Sequence, residues 1–132
     1  MISVEGTVPS DLSEIQPDLA ESYGGTIAEM RSILILRGNC VTFRDTKNNI
    51  LAILGITNTD ETGTADMCTL YTHRMASMPF AVLRVAREVI KDLQIPHLEF
   101  CLPEGTDGKF ARLIGFKNIS SVNGYDTYRR SK

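Results

Sequence analysis

At 132 residues, 42% of them apolar and 23% charged, the chain is long enough to bury one core and too short for two. Its net charge of −2 gives no reason to expect nucleic acid or an anionic membrane as partner. No apolar run approaches the roughly 20 residues that span a bilayer. Met1 to Glu5 lack the basic and apolar regions of a signal peptide, so a cytoplasmic setting is expected.

Ile2 to Val8 alternates apolar and polar side chains and predicts a first strand. Pro9-Ser10-Asp11 opens a helix, with Ser10 as N-cap and Leu12, Ile15 and Leu19 on its apolar side. Pro17 weakens or kinks that helix and Tyr23-Gly24-Gly25 breaks it. Thr26 then caps a second helix, Ile27 to about Leu36, closed by Gly38 or Asn39.

Cys40 to Arg44 reads as a strand, Asp45 to Asn49 as a turn, and Ile50 to Ile56, apolar on both faces, as a strand inside a sheet. Thr57 to Thr64 is a polar, acidic hairpin loop leading into a strand that ends at about Thr72. A tight connection follows, and a helix begins at Pro79, where a missing N–H costs nothing. Val82, Leu83, Val85, Ala86, Val89, Ile90 and Leu93 give this helix one apolar stripe, with Arg84, Arg87, Glu88, Lys91 and Asp92 on the other side. His97 to Leu102 alternates cleanly after Pro96, and Lys109 to Ile114 is a short helix stopped at Gly115. Ile119 to Val122 and Tyr125 to Tyr128 flank Asn123-Gly124, a strong hairpin signal. The order β-α-α-β-β-β-α-β-α-β-β predicts one α/β domain over 1–132. Its sheet should be mixed, because the crossover helix makes its two flanking strands parallel.

Cys40, Cys68 and Cys101 are odd in number and far apart, each among apolar neighbours, which predicts three reduced, buried thiols. Two histidines without close Cys or carboxylate spacing argue against a zinc site.

This order resembles the GCN5-related N-acetyltransferase (GNAT) superfamily. Ile2-Ser3-Val4 with Pro9-Ser10-Asp11-Leu12 looks like the family's opening strand and first helix. Leu70-Tyr71-Thr72-His73 looks like the end of its fourth strand, and Phe110-Ala111-Arg112-Leu113-Ile114-Gly115-Phe116 like its "F-Y-x-K-x-G-F" segment. The resemblance implies a V-shaped gap between the strands ending near 72 and 102. Acetyl-CoA would lie there, its pantetheine paired with strand backbone and its pyrophosphate on the loop before the crossover helix. Tyr71, Thr72, Arg74 and Ser77 are then the cofactor-binding candidates. Glu61 or Asp66 is the candidate base for a primary amine, with Asp60 beside them.

Two departures stand against these matches. The family's loop reads Q/R-x-x-G-x-G/A, whereas this chain has Arg74-x-x-Ser77-x-Pro79, and Pro79 removes an N–H donor. Ala111 stands where the family usually has its tyrosine acid. These departures predict an eroded acetyl-CoA site, no cofactor, and a gap narrowed by Met78 and Phe80. Met75, Met78 and Phe80 would then form an apolar surface for another protein chain, in a hetero- or homo-oligomer. The segment Cys40-Val41-Thr42-Phe43 with Leu54-Gly55 is similar to small acetyltransferase-like proteins of tailed bacteriophages, which implies a virion or internal virion component. The alternative is an active N-acetyltransferase moving acetyl from acetyl-CoA to a primary amine. His73 is expected as an exposed loop residue, Tyr71, Tyr125 and Tyr128 as half-buried strand aromatics, and Arg129 to Lys132 as a solvated tail.

Overall fold

Eight strands form one sheet, and the connections between them set its order. The computed structural model describes residues 2–24, 26–37, 39–76 and 79–131. The strands are β1 (Ser3–Gly6), β2 (Leu19–Tyr23), β3 (Cys40–Arg44), β4 (Ile50–Ile56), β5 (Thr64–Thr72), β6 (His97–Pro103), β7 (Lys117–Val122) and β8 (Tyr125–Ser131). The helices are α1 (Pro9–Ile15), α2 (Ile27–Arg37), α3 (His73–Ala76), α4 (Pro79–Lys91) and α5 (Lys109–Leu113). The sheet runs β1-β3-β4-β5-β6-β8-β7, with β2 added on β5. This is the mixed α/β architecture that the sequence predicts.

Local chemistry explains the hairpins. Asp45 closes the β3–β4 turn by accepting N–H bonds from Lys47 and Asn49, each at 2.9 Å. Asn123 and Gly124 adopt φ 55° and 80° between β7 and β8, the left-handed pair that a tight hairpin needs. Every residue of β4 is buried, as its unbroken apolar run requires. The crossover through α4 leaves β5 and β6 parallel, paired from Thr64/His97 to Asp66/Glu99.

The sheet has a core on each face. On one side Val82, Ala86 and Ile90 of α4 and Ala111 of α5 pack against Leu51, Met67, Leu98, Phe100 and Leu102. Phe100 meets Phe116 edge-on at 4.9 Å and stacks on Tyr128 at 5.7 Å. The other side joins Leu12 and Ile15 of α1 and Met30 and Ile33 of α2 to Cys40, Ile53, Cys68 and Leu70. Asp11 ties α1 to the sheet. Its carboxylate accepts from Arg44 Nη2 at 2.8 Å, Thr42 Oγ1 at 3.0 Å and the Val8 N–H at 3.1 Å.

Several expectations need correction. The segment from Leu19 is not the end of the first helix: Pro17 ends it in a 3-10 turn, Gln16–Asp18, and β2 follows. That helix begins at Pro9 rather than after a Ser10 cap, with Asp11 holding the N–H before it. The first strand covers Ser3–Gly6 rather than Ile2 to Val8. Met75 is 8% exposed and packs in the α4-side core, because the chain turns helical straight after β5 and points it inward. His73 therefore starts a helical turn rather than a loop, although it is exposed as expected. Cys101 is exposed because it alternates against Phe100 and Leu102, both buried. Tyr128 is buried outright, not half-buried, and Tyr125 is exposed. Arg129 to Ser131 are strand rather than tail, with Arg129 3.3 Å from Glu99. The expectations at Ser77, Met78 and Lys132 lie outside the described residues.

Candidate functional site

The sheet opens beyond Asp66. From Thr64 to Asp66, β5 pairs with β6, but past that point it turns to a different neighbour on the same edge. There β2 runs antiparallel to it, with Tyr23 opposite Thr69, Ser22 opposite Leu70, Glu21 opposite Tyr71 and Leu19 opposite Thr72. A bulge lies between Leu19 and Glu21. The other edge of β5 is taken by β4 over residues 67–71, so β2 must sit in the splay between β5 and β6. Just beyond β2, Gly24 has φ +73° and packs on Phe100 of β6, where an added Cβ would come within 2.8 Å of the ring carbons. The expected splay is present. It is filled by backbone 19–24 and not by Phe80, which is 62% exposed and lines a separate groove with Leu83, Leu113 and Arg130.

Two cavities adjoin this splay. A cleft of about 980 Å³ runs along β6 and past the start of α2, with Glu29, Asp66, Cys101, Asp107 and Tyr125 in its walls. An apolar pocket of about 180 Å³ lies between α4, α5 and the sheet, lined by Leu54, Thr69, Val82 and Ala86 among others. Met67, Tyr71 and Phe110 line both, so the acidic cleft and the apolar pocket share a wall.

Of the candidate bases, the structure brings Asp66 to the cleft. Asp66 is exposed to the cleft, and partial desolvation raises its pKa from the ordinary value, with the charges of Glu99, Asp60 and Glu29 raising it further. Its own N–H is held by Thr57 Oγ1 at 2.8 Å, which fixes the strand entry. Asp60 instead braces the loop. It accepts from the Thr62 hydroxyl at 2.6 Å and from the N–H groups of Thr62 and Thr64, and these bonds lower its pKa. Glu61 sits exposed on the same loop and is not among the cleft's lining.

The cofactor candidates separate likewise. Tyr71 lines both cavities. Thr72 is buried, with its hydroxyl 3.1 Å from the Ile50 carbonyl and 3.2 Å from that of Leu51, so it ties β5 to β4 and faces no ligand. Arg74 pairs with Asp18 at 3.3 Å beside the start of β2. Ser77 lies outside the described residues. Sequence reasoning misses Glu29, Cys101, Asp107 and Phe110 as lining residues. Phe110 opens the segment that ends at Phe116, whereas the other three carry no local signal. No group of three metal-ligating side chains occurs among the described residues, and no helix described is long and apolar enough to cross a membrane.

Acetyl-CoA, which the resemblance implies, would need its pantetheine arm on the edge of β5 near residues 70–73. That edge carries β2, so with β2 in place the described residues do not fit the arm.

No protein-family model and no curated protein matches the sequence. Solved structures match nearly end to end. A GCN5-related N-acetyltransferase from Kribbella flavida superposes with TM-score 0.70 at 13% identity, over 99% of this chain and 98% of that one. A GNAT-family acetyltransferase from Listeria monocytogenes gives 0.63 at 12%, over 99% and 95%. The NatC complex bound to Gag peptide and CoA gives 0.66 at 13%, over 99% and 98%. The fold is that of the GNAT acetyltransferases.

Proposed function

We propose that the chain is an N-acetyltransferase that moves an acetyl group from acetyl-CoA to a primary amine bound in the acidic cleft. The observation that carries this reading is the shared wall of Met67, Tyr71 and Phe110, where an apolar pocket meets a cleft holding Asp66 and Glu29. A direct transfer needs the acyl and amine sites to adjoin, and these two cavities lie next to one another across those three side chains. Most amines are ammonium ions at neutral pH and must lose a proton before they attack. Asp66, whose pKa its surroundings raise from the ordinary value, lines the cleft and is placed to take it, directly or through water. Glu29 adds negative charge that favours a cation in the cleft. The fold supports the donor, since the similar NatC complex is bound to CoA.

The occupied edge of β5 favours a second reading, a protein of this fold that closes its own groove and acts by binding another chain. Mass spectrometry of a panel of diamines and peptide N-termini incubated with acetyl-CoA separates the two. The first reading expects an acetylated product, and replacing Asp66 with asparagine should lower kcat with little change in the KM for acetyl-CoA. Absence of product, both from the wild type and from variants with β2 released from β5, would favour the second.

A further inference from the structure

We infer that β2 is a displaceable occupant of the cofactor groove: residues 19–23 hold the edge of β5 that a pantetheine arm would use and must leave it before that arm binds. This rests on the proposed acetyl transfer, and it concerns how that site is opened. An extended peptide and pantetheine compete for the same positions, because the arm carries two amides that pair with a strand edge as a peptide does.

The local architecture suits release. Five residues make up β2, and among the described pairings it bonds to β5 alone, in a register broken by a bulge. A 3-10 turn at Gln16–Asp18 precedes it and Gly24 at φ +73° follows, so no regular element continues the strand at either end. The pair Asp18–Arg74 links the strand's start to α3, yet both side chains are about half exposed, so water and salt compete with that latch. Apparent affinity for acetyl-CoA then equals the intrinsic affinity reduced by the fraction of molecules with β2 released.

Hydrogen exchange and calorimetry on the full chain test this. Acetyl-CoA added to the wild type should speed exchange at the amides of 19–23 while those of 69–72 stay protected. Successive strand residues point their N–H groups to opposite edges, so the double substitution Glu21→Pro, Ser22→Pro removes a ladder donor whichever phase holds. It should bind acetyl-CoA about tenfold or more tighter than the wild type. Should that variant fail to fold, Gly24→Ala, whose Cβ would strike Phe100, displaces the strand's end and should shift affinity the same way. Wild-type binding with 19–23 still protected, or equal affinity in wild type and variants, overturns the gate and leaves acetyl transfer standing. No binding to any form, with 19–23 exchanging freely in the variants, overturns acetyl transfer and the gate together.

Discussion

Asp11 shows how much one side chain can organise. It is 4% exposed and sits against Arg44, itself buried, which also reaches Glu14 at 3.1 Å and the Asn48 carbonyl at 2.8 Å. Removing the Asp11 carboxylate leaves Arg44 with only the exposed carboxylates of Glu5 and Glu14, and takes an acceptor from the buried Thr42 hydroxyl and the Val8 N–H. Asp11→Ala should therefore cost about 1–3 kcal/mol, read as a lower urea midpoint with an unchanged slope. Asp66 has the opposite sign. Its raised pKa means the folded protein binds that proton more tightly than the unfolded chain does, so the ionised form costs stability at neutral pH. That cost fades as pH falls through the raised value. Asp66→Asn should accordingly raise Tm at pH 7 and much less at pH 4. The acid limb of the rate profile should disappear with it, and a limb that persists would assign the base elsewhere. The thiols divide just as plainly. Burial pushes Cys40 up to about 11 and Cys68 up to about 12, which leaves both protonated and sheltered. A thiol reagent on the native protein should label Cys101 quickly and the other two only on unfolding.

At the scale of elements, α4 was legible because its seven-residue stripe needs no tertiary context: the apolar spacing alone says which face is buried. The hairpin at Asn123-Gly124 was legible for a related reason, since left-handed backbone demands those residues. Gly124→Ala should cost about 1–2 kcal/mol through its φ of 80°, measurable by thermal unfolding. The element missed was β2. Leu19-Ala20-Glu21-Ser22-Tyr23 has good helix formers and no turn signal before it except Pro17. Its strand conformation comes from the open edge of β5, about fifty residues away in sequence, as tertiary pairing overrides weak local preference. Met75 misled for a similar reason. Between a strand and a helix it read as surface connection, and the helical turn of α3 directs it inward.

Across the whole molecule, element order was enough to give the fold, because short connections and a right-handed crossover leave few arrangements. The site was only half readable. Asp66 and Tyr71 emerged from the resemblance, whereas the cleft walls are assembled from α2, β6 and the segments near 107 and 125, which no local pattern links. The net charge of −2 likewise hides a separation. Arg84, Arg87, Lys91 and Arg130, with one carboxylate, Glu88, line a groove of about 540 Å³ beside α4, while Glu29, Asp66 and Asp107 line the cleft. A cationic acceptor should therefore show a KM that rises with salt, since added ions screen its attraction.

The strand on β5 has a further consequence for the protein in solution. A sheet edge without a neighbour is a template for any extended chain, and proteins normally cover such edges to avoid aggregation. While residues 19–23 lie on β5, the molecule protects itself. Once they lift away, the same five residues of a second copy match the vacated positions, and reciprocal exchange gives a swapped dimer. Ligand capture and swapping then compete for one edge, but the first depends on ligand concentration and the second on that of the protein. Concentrated, ligand-free protein should therefore associate, and acetyl-CoA should return it to monomer in sedimentation.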